Sequence, residues 1–129
     1  MSPVGNSRTV LVVDDAEDCV ATLDLALQML PGVAVLTAGS AEAALVLLER
    51  DGVAAMITDI HLPEMSGLEL ISHLRGQARW RALPILVVSA DTDPETPAHA
   101  IGRGANAYFA KPFSPSAVRR KLEELINGH

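Results

Sequence analysis

The chain has 129 residues, of which 49% are hydrophobic and 20% charged, with a formal net charge of −6 and one cysteine. This length and composition predict one compact domain and exclude a disordered chain. The negative charge argues against direct nucleic-acid binding, which needs basic patches. The sequence has neither an apolar leader nor 18 consecutive apolar residues, and the lone Cys19 cannot form an internal disulfide. We therefore expect a cytoplasmic protein without membrane association.

Five short apolar runs alternate with five segments of helical periodicity. The predicted strands are 10–13, 33–37, 53–58, 84–88 and 107–110, with Pro84 as the first residue of the fourth. The first helical pattern runs from Ala16 to Leu30. Three later helices have a serine at the N-cap position. One of these serines is followed by Glu69, which completes a capping box, and another by Pro115 at the first helical position. These serines are Ser40, Ser66 and Ser114. The helix between the fourth and fifth strands is weakly specified, because two prolines and two glycines crowd it.

This alternation predicts an α/β fold with an open parallel sheet and helices on both faces. Right-handed crossovers leave few topologies, and 2-1-3-4-5 is the common order for five strands. We expect one folded domain over residues 8–129, preceded by a flexible arm over residues 1–7.

Polar side chains follow four of the five predicted strands. Asp14 and Asp15 come after the first, Asp59 after the third, Ser89 after the fourth and Lys111 after the fifth. In the expected order these strand ends meet at one edge of the sheet, where ligands bind in such folds. Clustered carboxylates repel one another and attract a cation, and an all-oxygen ligand set suits Mg²⁺. The residues therefore predict a site for a divalent cation and a phosphoryl group.

The same residues carry a resemblance to a known family. The segments in question are VVDD at 12–15, DIHLPEMSG at 59–67, VVSA at 87–90 and GANAYFAKPF at 104–113. In order and spacing they resemble the receiver domains of two-component response regulators, from about Arg8 to Ile126. The resemblance implies a flavodoxin-like fold. Chemotaxis receivers are themselves an example of the 2-1-3-4-5 strand order, so the agreement between the family's fold and the topology expected from the sequence is not independent support for either.

The resemblance implies a role for each polar residue. Asp59 would be the phosphoacceptor, and Asp15, Asp59 and the backbone carbonyl of His61 would bind Mg²⁺, with Asp14 acting mainly through water. Lys111 would pair with the phosphoryl oxygens, and Ser89 would donate a hydrogen bond to one of them. The Lys111–Pro112 peptide is expected to be cis.

The resemblance also implies a switch and its partners. On phosphorylation, Ser89 would move toward the phosphoryl group, and Tyr108 would rotate into the space that it leaves. This would change the face formed by the fourth helix, fifth strand and fifth helix. A histidine kinase or phosphotransfer protein would supply the phosphoryl group, and an unidentified effector would bind the changed face. We expect a monomer or weak dimer that is not an enzyme beyond self-phosphorylation and autodephosphorylation.

Two residues depart from the family pattern. His61 lies two positions after the expected phosphoacceptor, and Asp91 lies two positions after Ser89. In the family, these positions border the phosphoryl group. The His61 side chain could shield phosphorus from water, whereas the Asp91 carboxylate could orient water or repel the phosphoryl group. We expect shielding by His61 to dominate, because Asp91 is free to point into solvent.

Two other classes of function compete with this interpretation. A receiver-like module that binds partners without phosphorylation is one, and the presence of every key residue counts against it. A flavin-binding protein of the same fold is the other. Four acids within residues 14–18 count against that, since a phosphate cradle there needs glycines and backbone donors. No substrate pocket of a phosphatase or phosphotransferase is evident.

Overall fold

The computed structural model describes residues 8–127, so the predicted arm at 1–7 lies outside the described residues. Its five strands form one parallel sheet in the order β2-β1-β3-β4-β5, which confirms the predicted topology. The strands are β1 Arg8–Val13, β2 Val33–Ala38, β3 Val53–Thr58, β4 Ile85–Ser89 and β5 Ala107–Ala110. The helices are α1 Glu17–Leu27, α2 Ala41–Arg50, α3 Gly67–Arg75, α4 Thr96–Arg103 and α5 Pro115–Ile126.

Successive strand residues point to opposite faces, which gives the sheet two separate hydrophobic cores. The α2–α4 core contains Leu11, Met56 and Ile85 of the strands, packed with residues of α2, α3 and α4. The α1/α5 core contains the neighbouring Val12 and Ile57, packed with residues of α1 and α5. Because the central strands are buried on both faces, their sequences are continuous apolar runs.

The three predicted serine caps are present. The hydroxyls of Ser40, Ser66 and Ser114 accept hydrogen bonds from the backbone N–H groups three residues later. At α3, Glu69 also accepts from the Ser66 N–H, which completes the predicted capping box. Among the described residues no side chain caps the N-terminus of α4, a helix of eight residues. The weak specification of α4 in the sequence is thus matched by a weak N-terminus.

Several predicted boundaries differ from the observed ones by one to three residues: β1 begins at Arg8, β2 ends at Ala38, β4 ends at Ser89 and α1 begins at Glu17. Two further differences have a clear physical reason. The α1 helix ends at Leu27 rather than Leu30, and Leu30 is buried in a turn in which its N–H donates to the Leu27 carbonyl. The apolar spacing therefore extends past the helix because the turn also faces the core. The fourth strand begins at Ile85, whose N–H is bonded to Asn106, whereas Pro84 has no N–H with which to begin the ladder.

Arg75, the last residue of α3, joins three segments. Its guanidinium donates to the carbonyl of Gly104 at 2.8 and 3.0 Å, to that of Trp80 at 2.8 Å and to the Asn106 side chain at 3.1 Å. Gly104 has φ +122°, and a Cβ there would lie 2.6 Å from Cγ of Arg75. The end of α3 is therefore fastened to the connection between α4 and β5.

None of the helices within residues 8–127 has both the length and the apolar character needed to cross a membrane.

Candidate functional site

Three carboxylates meet where β1 and β3 end. Asp14 and Asp59 each extend a ladder by one bond, to the carbonyls of Ala38 and Val13 respectively, so their positions are set by the sheet. Asp14 is 3% exposed and Asp59 is 7% exposed, whereas Asp15 faces solvent. One oxygen from each of the three carboxylates lies within 4.8 Å of the others. At that distance and an effective dielectric constant near 20, two carboxylates repel by about 3 kcal/mol.

Lys111, the residue after β5, supplies a positive charge to this cluster. Its Nζ donates to Asp14 Oδ2 at 2.9 Å and to Asp59 Oδ2 at 3.2 Å. Burial alone would lower the pKa of the Lys111 ammonium, but the hydrogen bond to Asp14 and the charges of Asp59 and Asp14 outweigh burial and raise it. The Lys111–Pro112 peptide is cis, as predicted. One ammonium leaves two of the three negative charges uncompensated.

The donor set of this cluster fits Mg²⁺. It offers carboxylate oxygens alone, without thiol or imidazole ligands, and the exposed Asp15 leaves one side open for water to complete the coordination. The predicted backbone ligand, His61, lies on the same loop, two residues after Asp59. Asp14, Asp15 and Asp59 are therefore close enough together to hold such a cation, and ligation by the His61 carbonyl stays a prediction.

The Asp59 carboxylate is held in one orientation. Its Oδ1 accepts from the Ile60 N–H at 2.7 Å, while Oδ2 faces Lys111. The loop after Asp59 is closed by a bond of 2.7 Å from the Gly67 N–H to the Ile60 carbonyl. A Cβ at position 67 would overlap the carbonyl oxygen of Asp59, so glycine allows α3 to begin directly against this backbone.

Ser89 and Tyr108 lie on adjacent strands near the same edge. The Ser89 side chain is fully buried at the end of β4, and its Oγ accepts from the Asp91 N–H at 3.0 Å. The backbone carbonyl of Ser89 accepts from the Lys111 N–H at 2.8 Å, which links this residue to the lysine loop. Tyr108 is half-buried against the α2–α4 core. Their roles in a switch stay predictions.

The expectation that Asp91 points into solvent is wrong. Its carboxylate Oδ2 lies 3.0 Å from His61 Nε2, and its side chain is 22% exposed. The other oxygen accepts from the Asp93 N–H at 2.8 Å. This backbone bond and then the bond to His61 lower the pKa of the Asp91 carboxyl. The side chain is held at the rim of the site because both of its oxygens have donors on the two loops.

Cys19 of α1 lies beside the site, half-buried. Burial, followed by a hydrogen bond to Asp14, raises the pKa of its thiol to about 12. The thiol is therefore protonated at neutral pH, and its unreactive form agrees with a packing role rather than a redox role.

Sequence reasoning missed two features of the site. The first is the bond between His61 and Asp91. Both residues lie two positions beyond the polar ends of predicted neighbours in the sheet, and that equal offset was a signal of proximity. The second is the contact of Gly67 with the backbone of Asp59. No pattern in the sequence pointed to this contact, because glycines in loops are common.

Comparisons with known proteins agree with this geometry. The family model described as "Response regulator receiver domain" matches residues 10–123. A chemotaxis protein CheY homolog of Campylobacter jejuni is 33% identical over 118 residues, covering 91% of each chain. The transcriptional regulatory protein KdpE of Mycobacterium tuberculosis is 36% identical over 117 residues, which are 91% of this chain and 50% of KdpE. The structure of the chemotaxis response regulator CheY4 of Vibrio cholerae superimposes with a TM-score of 0.82 at 28% identity, over 92% of this chain and 98% of that one.

Proposed function

The chain belongs to the response regulator receiver family, and from this premise we propose that it is a phosphoacceptor switch in which Asp59 receives the phosphoryl group. The observation that carries the proposal is the grouping of Asp14, Asp15 and Asp59 with the Lys111 ammonium. Such a site combines a carboxylate nucleophile with the means to neutralise the charge of a phosphoryl group. The donor would be a phosphohistidine of a histidine kinase or phosphotransfer protein.

In the proposed reaction, a carboxylate oxygen of Asp59 forms a bond to phosphorus while the bond from phosphorus to the imidazole nitrogen breaks. The imidazole leaves with the electron pair of that bond and takes up a proton. Asp59 Oδ1 is held by the Ile60 N–H, so Oδ2, which faces Lys111, is the oxygen that we assign to attack. Lys111 then pairs with the phosphoryl oxygens, and Ser89 donates a hydrogen bond to one of them.

Mg²⁺, when held by Asp15, Asp59 and the His61 carbonyl with Asp14 acting through water, would supply the neutralisation that Lys111 alone leaves incomplete. The two uncompensated negative charges of the cluster support this assignment. Without the cation, a phosphoryl dianion would have to approach a site of its own sign.

Phosphorylation would be read at the face formed by α4, β5 and α5. Ser89 would turn toward the phosphoryl group and Tyr108 would move into the space left by Ser89, with an effector as the reader. The family supports a signalling domain rather than an enzyme that acts on other molecules. A cytoplasmic location, a monomeric or weakly dimeric state and receiver boundaries at residues 8 and 129 complete the proposal.

The direct test is phosphorylation by acetyl phosphate, read as intact mass. We expect one phosphate per chain in the presence of Mg²⁺, none in Asp59→Asn, and none when EDTA replaces Mg²⁺. Asp51→Asn is a matched control, because Asp51 precedes β3 at the opposite end of the strand that Asp59 follows. This variant should be labelled like the wild type.

Labelling that persists in Asp59→Asn, or that proceeds equally in EDTA, would refute the assignment. A folded wild-type chain that accepts no phosphate would instead favour the alternative of a receiver-like module that binds partners without phosphorylation.

A further inference from the structure

A side-chain bridge joins the two loops that border the site. His61 belongs to the loop between β3 and α3, and Asp91 to the loop between β4 and α4. Their 3.0 Å contact spans the gap between the loops. Asp59 directly follows β3 and Ser89 is the last residue of β4, each two residues before its member of the bridge, so the bridge stands at the rim of the phosphoacceptor site.

Asp91 also fixes the hydroxyl of Ser89. The Asp91 N–H donates to Ser89 Oγ at 3.0 Å, which directs that oxygen toward the loop that follows it. The Ser89 side chain is fully buried and can point in one direction at a time. A change of rotamer that carries the Ser89 Oγ toward a phosphoryl group on Asp59 therefore breaks the bond from the Asp91 N–H unless the β4–α4 loop moves with that oxygen.

The loop is ordered from Asp91 as far as the first turn of α4. Asp91 Oδ1 accepts from the Asp93 N–H at 2.8 Å, and Asp93 Oδ1 accepts from the Glu95 N–H at 2.9 Å. Glu95 is the N-cap residue of α4, which has no side-chain cap of its own among the described residues. A shift of Asp91 would therefore reach the start of α4 through two consecutive hydrogen bonds.

We propose that Asp91 is a positioning residue for the phosphoacceptor reaction, and that its bond to His61 is a latch that keeps the β4–α4 loop closed until Ser89 turns toward the phosphoryl group. This inference rests on the proposed function. In a two-state description the latch stabilises the closed state alone, so it reduces the apparent affinity for any ligand that requires the open one. Loss of the latch should increase that affinity.

The test uses beryllofluoride with Mg²⁺ as the phosphoryl mimic and measures its apparent affinity by NMR titration of the full chain. We expect His61→Ala and Asp91→Ala each to bind about three- to tenfold more tightly than the wild type, the change that loss of one ordinary hydrogen bond produces. The double variant should bind no more tightly than the tighter of the two single variants, because each single substitution already removes the same His61–Asp91 bond.

Charge repulsion by Asp91 is the competing explanation, and two variants separate it from the latch. Asp91→Asn removes the charge but keeps an Oδ1 that can accept from the Asp93 N–H, and its amide N–H can donate to an unprotonated His61 Nε2. The latch therefore predicts an affinity within about twofold of the wild type. His61→Ala leaves the Asp91 carboxylate in place without its partner. Repulsion then predicts weaker binding, whereas the latch predicts tighter binding.

His73→Ala is the matched control. His73 is an exposed histidine near the end of α3, and its Nε2 lies 2.9 Å from Gln77 Nε2 rather than at the β4–α4 loop. It should bind beryllofluoride like the wild type, and thermal melts should show that all variants fold.

The possible failures are distinguishable. A wild type that binds no beryllofluoride overturns both the proposed function and the latch. If the wild type binds and Asp59→Asn does not, the proposed function stands. In that case, wild-type affinity in both alanine variants, weaker binding by His61→Ala, or additive effects in the double variant overturns the latch alone.

Discussion

Glu42, near the start of α2, and Glu64, in the loop after β3, form a carboxyl pair outside the proposed metal cluster. Glu64 has φ +66°, in the left-handed region of the backbone. A hydrogen bond to the Glu64 carboxyl, and then the negative charge of Glu64, raise the pKa of Glu42. The folded chain therefore favours a proton on Glu42 more than the unfolded chain does.

This pair predicts a pH-dependent stability of known sign. The pKa of Glu42 is higher in the folded chain than in the unfolded chain. The protonated pair therefore contributes fully to stability at pH values below the unfolded pKa, and this contribution is lost as the pH rises through the folded pKa. We expect Glu64→Gln to lower the Glu42 pKa in an NMR titration. Relative to the wild type, the free energy of unfolding of this variant should increase as the pH is raised from acid to neutral.

Glu124→Gln, which removes the partner of Lys121 on α5, should leave the Glu42 titration unchanged. A Glu42 pKa that is the same in the wild type and Glu64→Gln would contradict the pairing.

At the level of single residues, the sequence predicted the grouping of Asp14, Asp15, Asp59 and Lys111, and the structure brings them together. The carboxyl ends of parallel strands lie at one edge of the sheet, so the strand order alone predicts that these four residues are neighbours. The direction of the Asp91 side chain could not be predicted in the same way, because it depends on which donors its two oxygens reach. A rotamer choice of this kind is decided by the folded loops and leaves no pattern in the sequence.

Among the secondary-structure elements, α3 is the one most closely tied to the phosphoacceptor. We expect Gly67→Ala to lower the free energy of unfolding by about 1–3 kcal/mol, because the added methyl group forces the helix away from the Asp59 backbone. Denaturant unfolding measures the loss, and phosphorylation by acetyl phosphate should slow at the same time.

Gly39→Ala is the control for this substitution. Gly39 follows β2 near the same edge, but a Cβ there meets no atom within 4 Å. Its stability should therefore be unchanged or slightly higher. Equal stabilities of the two variants would show that the close approach of α3 to Asp59 is unimportant.

Helix starts were predictable because their signals are local. A serine cap bonds three residues along the chain, so Ser40, Ser66 and Ser114 marked α2, α3 and α5 in advance. The Arg75 contacts were not predictable, because its main acceptors are backbone carbonyls, which every residue carries. The end of α1 was misplaced since a buried turn and a buried helical turn can show the same apolar spacing.

For the molecule as a whole, the two cores predict an unequal response to phosphorylation. Tyr108 packs against the α2–α4 core, and α4 lacks a side-chain cap among the described residues. On addition of beryllofluoride and Mg²⁺ we expect amide hydrogen exchange to change by about tenfold or more in α4 and β5, with a smaller change in α5. Amides of β2 and of α1 beyond its first turn should change less.

Asp59→Asn with the same additions is the control, and its exchange should not respond. Changes confined to the loops around Asp59, with α4 unaffected, would contradict the predicted output face.

The hydrogen bonds from Arg75 to the Gly104 carbonyl affect which substitutions these two positions can accept. Any side chain at position 104 would need both a backbone with positive φ and the space that Arg75 occupies, so position 104 must stay glycine for as long as Arg75 is present. The two positions, 29 residues apart in the chain, should therefore covary among related sequences. Descendants that replace the glycine should already have lost the arginine, and with it the fastening between α3 and the α4–β5 connection.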